Sequence, residues 1–149
     1  MIPLEDIVTQ WEKDCQIDNL NLDESTLKFA KVHAKYLALV SEARLTVKKL
    51  KADMSRVRQD KWLYYSGKMT QQEMDERRWP YDPFNGATKP MRSDLDRYID
   101  VDPDVARLQG KIDYNEEVVQ AVTEIIDTLR WRHQAVKNAI DWRKFTAGA

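Results

Sequence analysis

The sequence predicts a mainly α-helical protein, on three observations. Of its 149 residues, 42% are hydrophobic, 33% are charged and only four are glycine, a mixture that suits long amphipathic helices better than a sandwich or a doubly wound sheet. Apolar residues recur in 4,3 alternation along two long stretches, the pattern of helices that pack in the manner of a coiled coil. Pro80, Pro83, Pro90 and Pro103 crowd the segment between those stretches. The expected chain is a single domain, 1–149. It holds two long amphipathic helices, a short N-terminal helix and a Pro-rich excursion that carries a short strand or hairpin.

Residues 3–15 read as the short helix, because Leu4, Ile7, Val8, Trp11 and Cys15 share one face at helical spacing. That face would place Cys15 in the core. The connector "IDNLNLDES" follows, with Asp23 and Ser25 as capping residues. Residues 25–66 then run without Gly or Pro. Their seam is Phe29, His33, Tyr36, Val40, Ala43, Val47, Leu50, Met54, Val57, Lys61 and Tyr64, nine of the eleven apolar. Gly67 stands where a C′ glycine would stop the helix. A rod of ~40 residues is roughly 60 Å long and cannot bury its own seam, so a partner helix is required.

Residues 69–104 read as an irregular Pro- and Asp-rich segment. "FNG" looks like a turn, and Tyr98, Ile99 and Val101 in "LDRYIDVD" (95–102) are the residues on which a short strand would rest. "DPD" at 102–104 is a helix start: Asp102 as cap, Pro103 at the first position, Asp104 in the first turn. From there 105–145 forms the second long helix, on a seam of Val105, Leu108, Ile112, Asn115, Val119, Val122, Ile126, Leu129, His133, Val136, Ile140 and Arg143. A second stripe lies beside it: Val118, Ala121, Ile125, Ala135, Ala139 and Trp142. One reading is a single wide core face. The other gives one stripe to the 25–66 helix and the other to a second subunit. On that reading the oligomerisation residues are Val118, Val119, Val122, Ile125, Ile126, Leu129, Val136, Ala139, Ile140 and Trp142.

Several function classes find no support. No apolar run approaches the ~20 residues of a membrane span. The acidic N-terminus lacks the basic and apolar regions of a secretory signal. One cysteine builds no internal disulfide framework. These features fit a soluble protein of a reducing cytoplasm. "GK" at 67–68 and 110–111 lacks the upstream glycine of a phosphate-cradling loop, so no nucleotide is expected. His33 and His133 fall on the seams, where buried neutral or snorkelling histidines are commoner than metal ligands. The aspartates from Asp94 to Asp104 fail the calcium-loop register: begun at Asp100, position six is Val105 and position twelve is Lys111. No enzyme activity, cofactor or metal is expected.

The net charge is −1, but it is unevenly spread. Residues 1–24 carry seven acids and one base, and residues 93–104 carry five Asp and one Arg. Residues 44–68 carry eight bases and two acids. Such blocks act either through their local field or as ordinary solvated faces. The basic block ends in "RQDKWLYYSGK" (58–68). Binding to unpaired nucleic acid needs cations along the phosphates and flat rings for the bases. Lys48, Lys49, Lys51, Arg56, Arg58, Lys61 and Lys68 supply the first. Trp62 and Tyr65 would supply the second, with Tyr64, a seam residue, packing inward. Aromatics at a helix end also serve as core.

"YYSG" after a basic residue (Lys61 to Gly67), "LEDI" followed by D-x-x-ID (Leu4 to Ile7, then Asp14, Ile17, Asp18), and an ending with Phe145, Ala147 and Gly148 together resemble the UvsY recombination mediators of T-even-type bacteriophages. The resemblance covers nearly the whole chain. It is strongest at 4–18 and 61–67 and thin from 69 to 104. It implies a non-enzymatic, ring-like homo-oligomer, a hexamer or heptamer, in the cytoplasm of an infected bacterium. Such a protein binds single-stranded DNA, contacts the phage single-strand DNA-binding protein and loads a UvsX-type recombinase in recombination, repair and replication. It also implies a DNA-contacting role at Lys61. The family's basic pair is Lys-x-Arg before Leu-x-Tyr-Tyr. Here Gln59 and Lys61 fill those positions, and Trp62 stands in the leucine slot. Arg58, one residue earlier, offers a replacement cation. The rival reading is a helical structural adaptor of a phage assembly, its basic block matched to another protein.

Overall fold

The computed structural model describes residues 2–16, 20 and 22–148. Ile17 and Asp18, part of the N-terminal motif, lie outside the described residues. The elements are α1 (Leu4–Asp14), α2 (Leu22–Tyr65), α3 (Gln71–Arg77), a 3₁₀ turn (Arg92–Asp94), α4 (Leu95–Asp100) and α5 (Pro103–Thr146). The protein is mainly α, and no strand occurs among the described residues. The strand expected over 95–102 is α4 instead. Leu95 and Ile99, four residues apart, are both buried, and that spacing puts them on one helical face.

The chain divides into two compact units. The first comprises Met1–Thr46 with Asn115–Ala149. Its core joins Ile7 of α1, Tyr36, Val40 and Ala43 of α2, and Val118, Val122, Ile125, Ile126 and Leu129 of α5. Leu129 is 0% exposed, and truncating such a residue to Ala costs about 2–5 kcal/mol. This core corrects two expectations. Val118 and Ile125, the stripe set aside for another subunit, are buried within their own chain, because α1 is a third helix in the same core. Cys15, expected in that core, is exposed; the helix ends at Asp14 and the thiol turns back to the Glu12 carbonyl.

Polar bonds fasten α1. Asp14 Oδ2 accepts from Lys35 Nζ at 2.7 Å and from Tyr36 Oη at 2.9 Å. Arg132 donates to the Asp14 and Gln16 carbonyls. Burial raises the Asp14 carboxyl, but the bonds from Lys35 and Tyr36 and the charges of Lys35 and Arg132 outweigh it, so Asp14 sits below its ordinary value. Trp11 meets the Tyr36 ring edge-on at 5.6 Å.

The second unit is Val47–Tyr114. Its core joins Met54, Tyr64 and Tyr65 of α2, Met69, Met74 of α3, Leu95 and Ile99 of α4, and Val105 and Ile112 of α5. α2 stops as expected: Gly67 has φ +77°, its N–H bonds the Tyr64 carbonyl at 3.3 Å, and the Lys68 N–H bonds the Leu63 carbonyl at 2.9 Å. These are the two bonds of a Schellman motif. α3 begins on Thr70, whose hydroxyl accepts from the Glu73 N–H. It ends in the same motif with Arg78 left-handed at φ 57°, and this turn delivers Trp79 to the second core. The "FNG" segment is a turn in which Asp82 accepts the N–H groups of Phe84 and Gly86.

Candidate nucleic-acid interface

Within the second unit, α2 carries a row of cations beside its buried seam, Lys51 and Arg58 standing three and four residues from Met54. Lys48, Lys49, Lys51 and Arg56 are exposed, Arg58 is half-buried, and Lys68 lies exposed just past the helix end. Lys48, Lys51, Ser55, Arg58 and Trp62 follow one another at spacings of three and four residues, so they form one row about 21 Å long. Lys49 and Arg56 lie about 130° further round the helix from the middle of that row. Carboxylates already meet some of these cations: Arg58 pairs with Asp100 at 2.8 Å and Arg56 with Asp53 at 3.4 Å. Lys68 Nζ stands 4.6 Å from the centre of the Trp62 ring. Lys89, which the sequence did not single out, bonds the Ser66 carbonyl at 3.0 Å and adds a cation at the same tip.

Lys61 and Tyr65 are placed elsewhere. Lys61 is only 3% exposed; its ammonium lies 3.2 Å from Asp102 Oδ2, 2.9 Å from Asp104 Oδ2 and 3.8 Å from the centre of the Trp79 ring. Tyr65 is buried and donates to Asp102 Oδ2 at 2.7 Å. Tyr64, expected to pack, does so, donating to the Pro80 carbonyl at 2.6 Å. Seam geometry explains Lys61: its position faces the core, and a charge there needs a buried counter-charge. Neither Lys61 nor Tyr65 is part of the exposed row.

Asp102 is the hub of this cluster. It caps α5, its Oδ1 accepting the Asp104 N–H at 2.9 Å, while its Oδ2 takes Tyr65 and Lys61. Burial raises its pKa, but the Tyr65 and Lys61 bonds, the Asp104 N–H and the Lys61 charge prevail, holding the carboxyl below its ordinary value. Burial, then the bond to Asp102, push the Tyr65 phenol well above its usual range. A carboxylate whose folded pKa is depressed stabilises the fold above its unfolded pKa, ~3.9 for Asp. That stability is lost as pH falls through the depressed folded value. Urea unfolding followed from pH 7 downward should therefore lose stability below about pH 4, and Asp102→Asn should flatten that fall. An unchanged acid limb would show that Asp102 carries none of it.

The oligomerisation residues divide likewise. Val118, Val122, Ile125, Ile126, Leu129 and Val136 are buried, and Val119, Ala139 and Ile140 half-buried, whereas Trp142 is 65% exposed. Among the described residues, no three potential metal-ligating side chains come together and no helix is long and apolar enough to cross a membrane.

Fold and surface define a helical protein that presents a cation-rich face on one long helix. The chain belongs to the UvsY family, "Recombination, repair and ssDNA binding protein UvsY", whose family model matches residues 10–149. It is similar in fold to crystal structures of the bacteriophage T4 recombination mediator protein UvsY. In one lattice the TM-score is 0.83 at 21% identity, covering 99% of both chains. In two others it is 0.80, at 19% identity over 97% of this chain and 99% of that one, and at 20% over 95% and 98%. Comparison with curated proteins returns no match.

Proposed function

We propose that this protein is a phage recombination mediator that binds single-stranded DNA along the cationic face of α2. As a ring-like homo-oligomer it promotes loading of a UvsX-type recombinase onto DNA covered by single-strand-binding protein, inside the infected host. The observation that carries this reading is the row of Lys48, Lys51 and Arg58, with Lys68 beyond its end and Lys49 and Arg56 further round the same helix, on a chain whose net charge is −1. Membership of the family supports it. A local cation row attracts a phosphate backbone where the whole-molecule charge does not, and repetition of the row in an oligomer multiplies a modest site.

Fluorescence anisotropy with labelled oligo-dT at two salt concentrations tests it. Affinity should fall with salt at a log–log slope of about −0.7 per phosphate neutralised. Lys48→Ala with Lys51→Ala should flatten the slope by about 1.4 at unchanged melting temperature. Absence of binding, or binding indifferent to salt, would favour the structural-adaptor reading.

The Arg58–Asp100 pair yields an opposite expectation. Asp100 occupies the guanidinium that a phosphate would take. Exposed pairs are worth about 0.2–1 kcal/mol, so Asp100→Asn should tighten oligo-dT binding by up to about fivefold and steepen the salt slope by as much as 0.7. Unchanged affinity and slope would remove Arg58 from the DNA surface.

A further inference from the structure

We infer that Trp62, with Lys68 over its ring, is the base-stacking element at the end of the cation row, and that it selects strands bearing unpaired nucleobases. The inference rests on the DNA-binding reading and deepens it. Of the aromatics at this corner, Tyr64 and Tyr65 are buried, with hydroxyls committed to the Pro80 carbonyl and to Asp102. Trp79 has the Lys61 ammonium 3.8 Å from its ring centre and Arg77 at 5.6 Å. Trp62 is only partly buried against the second core, and it continues the row of Lys48, Lys51 and Arg58.

The contact that Lys68 makes with Trp62 is exchangeable. Lys68 is exposed and lies beyond the helix, on a flexible stem that can swing aside. A cation–π contact at an exposed ring is weaker than a base–aromatic stack. A base arriving on Trp62 therefore displaces the ammonium, and Lys68 is released beside the phosphate of the same nucleotide. Stacking of this kind accepts any base, since every base has a flat face, but it rejects a strand without bases.

The test compares labelled oligo-dT with an abasic deoxyribose-phosphate oligomer of equal length, using the full-length protein at one salt concentration. Wild type should prefer oligo-dT by about five- to a hundredfold. Trp62→Ala should bring the two affinities together while the salt slope stays as in wild type. Trp62→Leu keeps apolar volume against the core without a ring, so it decides the matter if Trp62→Ala melts early; it too should abolish the preference, and Trp62→Phe should restore part of it. A wild-type preference retained in Trp62→Leu overturns the inference and leaves the phosphate-binding row standing. If wild type binds the two oligomers equally, stacking is likewise excluded. If it binds neither, the DNA-binding reading itself falls.

Discussion

Asp102→Ala is expected to destabilise the protein by about 3–5 kcal/mol, the cost of stripping one partner from a buried ion pair. Three losses coincide. Lys61, 3% exposed, keeps only the half-exposed Asp104. The Tyr65 hydroxyl, which donates to Asp102 at 2.7 Å, is left without its acceptor. α5 loses the cap made to the Asp104 N–H. Against a total stability of ~5–15 kcal/mol, this should lower the melting temperature by about 10 °C or more. Asp102→Asn separates the terms, since its one amide oxygen can still cap the helix, whereas the NH2 that replaces Oδ2 accepts from neither Tyr65 nor Lys61 and carries no charge. Lys61→Met alone strands Asp102. The double variant Lys61→Met, Asp102→Asn should recover most of what the two single changes lose, and that recovery is the coupling energy of the pair. Additive losses would show that the ammonium and carboxylate are not coupled. The experiment also protects the DNA reading from a false result. Lys61 occupies the position at which the family resemblance implies DNA contact, yet a loss of binding in a Lys61 variant would report a loosened second unit unless its melting temperature were unchanged.

The two long helices were legible because their seams are long. The expected 25–66 and 105–145 differ from Leu22–Tyr65 and Pro103–Thr146 by at most three residues. Gly67 and the Asp102–Pro103 pair marked two of the ends. The excursion was harder. Thr70 with Glu73 is a capping-box spacing, and reading 69–104 as irregular passed over it, so α3 was missed. Leu95 and Ile99 carried the helical spacing of α4 beneath the β-prone Tyr98, Ile99 and Val101. The cation row was legible as composition, but its accessible members were not. Lys61 interrupted an apolar seam, and a cation at such a place announces a buried counter-ion. Nothing local says that the counter-ion lies 41 residues away at Asp102. The helical period also misled at Tyr65. It turns the side chain about 100° from Tyr64, off the α2 seam, but α4, α5 and the 79–84 segment put core residues there too, with Phe84 at 5.8 Å and Tyr98 at 6.3 Å from the Tyr65 ring. The second stripe of α5 was open to two readings because no intrachain partner for it was evident in the pattern; Ile7 of α1, 1% exposed, lies in the same core.

Trp142→Ala with Phe145→Ala should dissociate the proposed homo-oligomer while leaving the subunit folded. Once Val118, Ile125 and their neighbours are assigned to the subunit's own core, the most exposed large apolar side chains of α5 among the described residues are Trp131, Trp142 and Phe145, at 76%, 65% and 74% exposure. Their spacings of eleven and three residues keep them within about 40° of one line along the helix. Trp142 and Phe145 stack on each other at 5.7 Å and form a ready-made aromatic anchor. Aromatic anchors dominate protein interfaces, each worth about 2 kcal/mol or more on truncation. Losing two should weaken each subunit contact by roughly a thousandfold, enough to shift the sedimenting species to monomer at micromolar concentration. Exposed side chains take no part in the subunit's own core, so the cooperative unfolding of the isolated subunit should persist. A long oligo-dT that spans several cation rows should then bind at least tenfold more weakly, since linked sites gain about 10²–10⁴ in avidity. A short oligonucleotide that reaches one row should lose little. If the double variant keeps its full mass, the assembly surface lies elsewhere, and the exposed Leu27, Leu37 and Leu45 of α2 become the next to replace. If the mass falls and long oligo-dT binds as before, one row suffices and ring avidity drops out of the proposed DNA binding.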